Sequence, residues 1–198
     1  MSESLPEVYL ARHGETEWTV THRHTGRTDL RLTARGENNA LGLRERLRGL
    51  AFDRVFVSPL QRARRTCELA GFGDRAVTIA DLSEWDYGSY EGRRTDEIHR
   101  ERPGWRLFRD GCPGGESVAE VGARADRVIG RLRSLPGHLL LFGHGHFFRV
   151  LAARWLDLPA ADGRYFVLGT AALSVLGYEH GLDDPAILLW NDDRHTVP

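Results

Sequence analysis

The chain of 198 residues contains no lysine, because all 27 of its basic residues are arginine. The absence excludes a P-loop lysine, a Schiff base with pyridoxal phosphate and any other lysine chemistry. Codon bias in a GC-rich genome would explain this composition, and we give that explanation the most weight. Whatever its origin, any bound anion must be held by arginine, histidine and backbone N–H groups.

Other absences narrow the class of protein further. The two cysteines, Cys67 and Cys112, fit neither a zinc site nor a redox motif. No apolar run approaches the roughly 20 residues that span a bilayer, and residues 1–7 lack the features of a secretory signal. The formal net charge is −1, so no strong field attracts nucleic acid or a membrane. We expect a cytoplasmic protein, a single domain over residues 1–198, without nucleic acid or membrane partners.

Short apolar runs alternate with stretches of helical periodicity. This alternation predicts an α/β fold, a three-layer sandwich with a mostly parallel central sheet and helices on both faces. The predicted strands, of which the last is the weakest, are Val8–Ala11, Arg54–Val57, Val77–Ala80, Leu139–Phe142, Leu173–Tyr178 and Ile187–Trp190.

Capping patterns place the helices between these strands. Thr33 is the expected N-cap of a helix to Leu50, and Ser58, followed by Pro59 and Gln61, that of the next. The pattern Ser117–Glu120 opens a helix that ends near residue 135, and residues 147–156 form another apolar stretch. Residues 85–115, rich in arginine, glycine and aromatics, are expected to be an irregular insertion over the active face.

Three of the predicted strands end in polar residues that are followed by a helix start. The first delivers Arg12 and His13, the second leads to Arg62 one turn inside its helix, and the third leads to His144. Ligands of open α/β sheets bind outside the carboxyl ends of the strands, beside helix N-termini that favour anions. The pattern therefore predicts a phosphate pocket at this edge of the sheet.

Six segments between about Val8 and His146 match the motifs of one family, in that family's order. They are Arg12–Thr16, Thr25–Thr33, Ser58–Ala63, Ser83–Gly88, Gly114–Ser117 and Gly143–Gly145. Together they resemble the histidine phosphatase superfamily, which includes cofactor-dependent phosphoglycerate mutases. Each match is weak alone, whereas the ordered set is specific.

The resemblance implies a role for five residues. His13 would be the nucleophile that becomes phosphorylated, while Arg12, Arg62 and His144 would bind the phosphoryl group, with His144 acting best as a cation. Glu84 would protonate the leaving alkoxide and later activate water. Nucleophilic attack requires one bare imidazole nitrogen, so we expect the other nitrogen of His13 to donate to a backbone carbonyl.

Further residues are assigned to phosphate or substrate binding, and competing carboxylates remain. The additional binding residues are Thr19, Thr25, Gly26, Tyr87 and Gly145. Many family members carry Asn at the position of Thr19, whose hydroxyl is a shorter donor. Aromatic side chains are expected to rim an open pocket: Trp18, Trp85, Tyr87, Tyr90, Trp105 and Phe108. The carboxylates that compete with Glu84 for the acid role are Glu15, Asp86 and Glu116.

The sequence thus predicts a metal-independent phosphomonoesterase that hydrolyses small organic phosphates, of the acid- or sugar-phosphatase type. His144 and His146 form a histidine pair, but no Asp, Glu or Cys cluster completes a metal site, and no cofactor is expected. A phosphoglycerate mutase is the first alternative, because Arg93, Arg94, Arg106 and Arg109 could compensate for a shortened insertion with Thr95 in place of its lysine. A non-catalytic phospholigand-binding protein is the second alternative. A homodimer is left open.

Overall fold

A mixed β-sheet lies at the centre of the computed structural model, which describes residues 5–197. Within these residues the sheet has six strands: β1 (Glu7–Arg12), β2 (Arg54–Val57), β3 (Ala76–Thr78), β4 (His138–Gly143), β5 (Leu173–Tyr178) and β6 (Pro185–Asp192). Their order is β3-β2-β4-β1-β5-β6. The first four strands in this order are parallel, and β5 is antiparallel to both of its neighbours. This sheet confirms the predicted α/β class.

Helices cover both faces of the sheet, as predicted. They are α1 (Glu17–Val20), α2 (Ala34–Arg46), α3 (Gln61–Leu69), α4 (Thr95–Glu101), α5 (Leu107–Asp110), α6 (Val118–Arg133) and α7 (Gly145–Trp155). Among residues 5–197, none is long and apolar enough to cross a bilayer.

Side chains of β1 alternate between two hydrophobic clusters. Val8 and Leu10 pack with apolar residues of α6 and α7, whereas Tyr9 and Ala11 pack with residues of α2 and α3. The strand is therefore buried on both faces, as parallel strands in layered α/β folds are. This double packing fixes the height at which β1 ends, and with it the residues that follow.

Two predicted helix starts are confirmed and one is wrong. The Thr33 side chain accepts a hydrogen bond from the backbone of Gly36, and Ser117 forms a reciprocal capping box with Glu120. Helix α3, however, has Leu60 rather than Ser58 at its N-cap. Ser58 was selected because serine before proline is typical of a helix start. It lies two residues before the N-cap, and its hydroxyl contacts Leu60 N (3.3 Å) and a histidine ring (2.7 Å).

The segment 85–115 is more ordered than predicted. It contains helices α4 and α5 and a 3-10 turn, Gly88–Tyr90. Its aromatic side chains are buried: Trp85, Tyr87, Tyr90, Trp105 and Phe108. Of these five, Tyr87 alone also lines the cavity described below. The expectation of an aromatic rim was therefore wrong for most of them, because their apolar area is buried against α6 and α7.

Two strand boundaries also differ from the prediction. Strand β3 is short, since Ala80 begins a 3-10 turn that leads toward Glu84. Strand β6 is longer than the predicted Ile187–Trp190. Neither difference moves the three strand ends that carry the candidate site.

Candidate active site

A cavity of about 630 Å³ opens at the carboxyl ends of β1 and β4. Its lining is mostly polar and combines the first family-like motif with loop residues from distant parts of the chain. The lining residues are Arg12, His13, Glu15, Thr19, Val20, His22, Arg23, His24, Thr25, Arg35, Glu84, Tyr87, Thr95, His146 and Thr170.

Hydrogen bonds fix both the backbone and the ring of His13. Its N–H donates to Gly143 O (2.9 Å) and its carbonyl accepts from Ala171 N (3.0 Å), so it continues the ladder beyond β1. The ring Nδ1 lies 2.7 Å from Gly14 O. Because a carbonyl oxygen can only accept, Nδ1 carries the hydrogen and Nε2 is bare. The predicted hydrogen bond to a backbone carbonyl is therefore present.

The charge state of His13 suits attack on an anion. Burial lowers the pKa of His13 well below its usual value, and the nearby cations Arg62 and Arg12 lower it further. The imidazole is thus neutral over the physiological pH range. A neutral ring with a bare Nε2 facing a cavity is the form in which histidine acts as a nucleophile.

Arg12 provides a cation with an unused donor beside this ring. One terminal nitrogen donates to Leu168 O (2.5 Å), but the buried Nε has no hydrogen-bond partner among residues 5–197. Gly145 allows the guanidinium to lie against the start of α7, because a Cβ at Gly145 would come within 3.0 Å of Arg12 Nε. An unpaired buried donor is costly, and a phosphate oxygen would satisfy it.

Arg62 is fully buried and holds the loop that begins at Thr25. Its terminal nitrogens donate to the carbonyls of Thr25 (3.1 Å), Gly26 (2.8 Å) and Thr28 (2.9 Å). Its Nε donates to His144 Nδ1 (3.3 Å). Most of its donors are therefore engaged by the protein, and its role as a phosphate ligand stays a prediction.

His144 follows β4, and its ring lies 5.2 Å from that of His13. Because Nδ1 accepts from Arg62, the ring hydrogen sits on Nε2, which donates to Ser58 Oγ (2.7 Å). Burial and then the charge of Arg62 lower the pKa of His144 well below its usual value. His144 is therefore neutral in this arrangement, in contrast to the expected cation, because the guanidinium of Arg62 occupies the side from which a proton would be added.

Glu84 caps the N-terminus of α7 with its carboxylate. Oε1 accepts from the backbone N–H groups of Trp85 (2.9 Å) and Phe147 (2.8 Å), and Oε2 accepts from that of His146 (3.1 Å). The side chain is 7% exposed and lines the cavity. Oε2, with one backbone donor, is the oxygen with more capacity left for a proton.

The competing carboxylates are all paired with arginine. Glu15 pairs with Arg35, Asp86 with Arg27 and Glu116 with Arg124. Within the described part of the chain, Glu84 alone of the four candidates forms no ion pair. A carboxylate held without a fixed positive partner is the best of these groups to exchange a proton with a substrate.

The residues predicted to make further phosphate contacts are engaged elsewhere. Thr19 lines the cavity, but its hydroxyl donates to Thr16 O (2.7 Å) and accepts from Thr16 N (2.8 Å) in the capping box of α1. The N–H of Gly26 donates to both oxygens of Glu91. Thr25 also lines the cavity, and its hydroxyl donates to Arg23 O (3.1 Å). The local motif, rather than an anion, therefore uses these donors.

A histidine–tyrosine wall, composed of His24, Tyr87 and His146, forms one side of the cavity. Tyr87 Oη lies 2.6 Å from His146 Nδ1, and the rings of Tyr87 and His24 lie 4.9 Å apart. Thr95 Oγ1 lies 3.3 Å from His24 Nε2. Burial lowers the pKa of His24 to about 4. The wall is therefore neutral and polar.

Sequence reasoning selected Tyr87 but missed His24, His146 and Thr170 as lining residues. His146 was considered only as part of a metal pair. Within residues 5–197, the one group with three ligand atoms close enough for a metal is Glu179, His180 and Asp184. It is exposed in the turn before β6, away from the cavity.

The chain matches one family model and is similar to several known proteins. The family model described as histidine phosphatase superfamily (branch 1) matches residues 8–193. An acid phosphatase of Mycobacterium tuberculosis is 43% identical over 91% of both chains, and a sedoheptulose 1,7-bisphosphatase of Saccharomyces cerevisiae is 31% identical over 96% of this chain and 94% of the other. A probable phosphoglycerate mutase of Salmonella choleraesuis is 35% identical over 87% of this chain and 85% of the other. A solved structure of a Mycobacterium tuberculosis open reading frame superposes with a TM-score of 0.88 at 38% identity, over 94% of this chain and 97% of that chain.

Proposed function

The chain belongs to the histidine phosphatase superfamily, branch 1, and from this membership we propose that it hydrolyses small organic phosphomonoesters through a phosphohistidine on His13. The observation that carries the proposal is that two residues lining the cavity offer complementary groups: His13 a bare Nε2, and Arg12 an Nε that has no hydrogen-bond partner among residues 5–197. One group can attack phosphorus while the other binds an oxygen on it.

In the first step, Nε2 of His13 attacks phosphorus and the bond from phosphorus to the ester oxygen breaks. The leaving alkoxide takes a proton from Glu84, for which Oε2 is the better placed oxygen. Arg12 neutralises charge on the phosphoryl oxygens as the transition state forms. The products of this step are the free alcohol and phospho-His13.

In the second step, water attacks the phosphohistidine. Glu84, now a carboxylate, takes a proton from the water, and the bond from phosphorus to Nε2 breaks. Inorganic phosphate leaves, His13 returns to its neutral form and Glu84 again holds a proton. The acid and the base are thus one group, used in opposite directions.

The side chains that line the cavity suit a substrate whose organic part carries hydroxyl groups. His24, Tyr87, His146 and Thr95 present hydrogen-bonding groups, and the burial that lowers the pKa of both histidines keeps them uncharged. The name of one relative, sedoheptulose 1,7-bisphosphatase, supports the same substrate class. We therefore propose sugar phosphates and related polyol phosphates as substrates.

The arginines considered for the mutase alternative are mostly held in ion pairs and do not line the cavity. Arg93 is paired with Glu101, Arg94 with Asp96 and Glu97, and Arg109 with Asp110. The four arginines considered for compensation, Arg93, Arg94, Arg106 and Arg109, are all outside the lining of the cavity.

The first experiment is phosphate release from a panel of phosphomonoesters in the presence of EDTA. The panel contains sugar phosphates, p-nitrophenyl phosphate and 3-phosphoglycerate. We expect hydrolysis of the esters with sugar phosphates among the best substrates. Conversion of 3-phosphoglycerate to 2-phosphoglycerate on addition of the bisphosphate primer, without hydrolysis of the esters, would establish the mutase instead. Saturable binding without release would establish a binding protein.

The intermediate is tested separately by quenching with ³²P-labelled substrate. A phosphohistidine is labile in acid and stable in base, so label is expected on the protein only after an alkaline quench. Label that survives acid would place the phosphoryl group on an oxygen of serine, threonine or tyrosine and would contradict the role of His13.

We also propose a cytoplasmic location. Both Cys67 and Cys112 are free and buried, as is usual in a reducing compartment. A small-molecule phosphomonoester is the proposed partner. Self-association as a homodimer is a separate proposal, and sedimentation velocity would measure it.

A further inference from the structure

The Gly114–Ser117 motif has no part in the mechanism above. Its glutamate, Glu116, contacts the residues that follow Glu84 in the chain. Arg124, on α6, forms a two-pronged ion pair with Glu116: Nε donates to Oε1 (2.9 Å) and a terminal nitrogen donates to Oε2 (2.8 Å). The remaining N–H groups of Arg124 donate to the carbonyls of Asp81 (2.8 Å), Ser83 (2.6 Å) and Glu84 (3.3 Å). All five guanidinium donors are thus used, three of them on the backbone that leads into Glu84.

Glu116 holds the backbone on the other side of the same residue. Its Oε2 accepts from Asp86 N (2.9 Å), and its carbonyl accepts from the indole N–H of Trp85 (2.9 Å). Gly115 allows the close approach, because a Cβ there would come within 2.2 Å of Asp86 O. Arg124 and Glu116 therefore fix the chain immediately before and immediately after Glu84.

Arg124 also contacts the element that binds the carboxylate of Glu84. Its guanidinium lies 4.4 Å from the centre of the Phe147 ring, and the backbone N–H of Phe147 donates to Glu84 Oε1. The same cation thus holds the backbone of Glu84 and packs on the first turn of α7. The relative position of these two parts decides where Oε2 points.

We propose that Arg124 and Glu116 are positioning residues that aim the carboxyl group of Glu84 at the leaving oxygen of the substrate. The inference rests on the proposed function, in which Glu84 is the general acid. Proton transfer to a leaving group needs hydrogen-bond contact, and a displacement of about 1 Å can lower a rate about 100-fold. An ion pair with every donor satisfied is suited to preventing such a displacement.

The test compares two esters in Arg124→Lys, Glu116→Gln and Glu84→Gln. Lysine keeps the charge of Arg124 but cannot reach Glu116 and three carbonyls together. We expect kcat/KM, which reports the steps up to release of the alcohol, to fall about 10- to 100-fold on an alkyl sugar phosphate in the Arg124 and Glu116 variants, against less than about 3-fold on p-nitrophenyl phosphate, whose leaving group needs no proton. In a Glu84→Gln background the same substitutions are expected to change kcat/KM less than about 2-fold, because the group through which they act is gone.

Arg127→Gln is the matched control. Arg127 lies on the same helix, three residues further on, and also forms a two-pronged ion pair, with the side chain of Asp81 (2.9 and 3.0 Å). It is exposed and donates to no backbone group around Glu84. We expect its kcat on both esters to match that of the unsubstituted protein.

Two results would overturn the positioning inference alone. One is an equal loss on both esters, and the other is a full additional loss in the Glu84→Gln background. If Glu84→Gln itself slows both esters equally, the proposed acid role fails, and the inference fails with it. Circular dichroism checks folding, and the pair Arg124→Met with Glu116→Gln, which leaves no unpaired buried charge, replaces any single variant that does not fold.

Discussion

The two ends of the cavity are constructed in different ways. One end is the end proposed to bind phosphate, called the phosphate end below; there Arg12 is the last residue of β1, and His13 and His144 directly follow β1 and β4. The backbone ladder of the sheet sets their positions, as the bond from His13 N to Gly143 O shows. At the acid end, Glu84 lies in no helix or strand, between two 3-10 turns. Its position depends on side chains from α6 and from the loop before it.

Because of this difference, the two ends are expected to respond differently when neighbouring side chains are substituted. A residue at the end of a strand buried on both faces keeps its position when a neighbouring side chain is altered, because the sheet holds its backbone. A residue in a loop moves when one of its few anchors is lost. Substitutions at the phosphate end are therefore expected to remove a reacting group without moving its neighbours. Substitutions around Glu84 are expected to displace its carboxyl group.

The largest expected effect is that of His13→Ala. Loss of a nucleophile removes the intermediate, so kcat is expected to fall roughly 10⁴-fold or more, with no labelled phosphoprotein after an alkaline quench. The midpoint of thermal unfolding is expected to change little, because the sheet holds the backbone. His22→Ala, at the exposed mouth of the cavity, is the control. Turnover that survives in His13→Ala would mean that another group attacks phosphorus.

Glu84→Gln is expected to have a smaller and more selective effect. The amide keeps one acceptor for α7 but cannot supply a proton, so kcat/KM on alkyl phosphates is expected to fall about 10²- to 10³-fold. On p-nitrophenyl phosphate the loss of kcat/KM is expected to be several-fold. The measurement is kcat/KM, which excludes the shared hydrolysis step, over a series of esters with rising alcohol pKa. A loss that does not depend on the alcohol would remove Glu84 from the acid role.

Protonation of the buried histidines links stability to pH. Burial lowers the pKa of His24 to about 4, so below its unfolded value near 6.5 the unfolded chain binds a proton that the folded protein does not. The free energy of unfolding is therefore expected to decrease as the pH falls from 6.5 toward 4, by up to about 1.4 kcal/mol per pH unit for this histidine.

His24→Phe keeps a ring against Tyr87 but removes the titration. Urea unfolding of both proteins between pH 7.5 and 4.5 measures the slope. We expect a shallower dependence in the variant below pH 6.5 and the same dependence above it. Equal slopes below pH 6.5 would show that His24 does not carry the effect.

The phosphate end could be predicted from sequence because local signals determine it. The chain there has an apolar run, then Arg12 and His13, then glycine. This order predicts a strand, the place where it ends and the cation and imidazole found at that end. The predicted bond from His13 to a carbonyl is also local, since its acceptor is the next residue, Gly14. The α/β class followed from the same alternation of runs.

Contacts between distant segments could not be predicted. Ser58 reads as a helix cap, and only the fold brings it to His144, 86 positions away. The neutral state of His144 depends on Arg62, which approaches from another helix. The aromatic residues of 85–115 read equally well as a rim or as core, and only their packing against α6 and α7 decides between the two.

Thr19→Ala has the smallest expected effect and tests the one binding role for which sequence and structure differ most. If the hydroxyl serves only the capping box of α1, its loss costs about 1 kcal/mol of stability at most and changes kcat/KM less than about 3-fold. Thr21→Ala, one position beyond α1 and bonded to Glu17 O, is the control for a lost helix-end hydroxyl. A tenfold fall in kcat/KM confined to Thr19→Ala would show that this hydroxyl turns to the substrate when phosphate binds. The phosphate end would then also include a loop residue, and the contrast between the two ends would be weaker than the structure indicates.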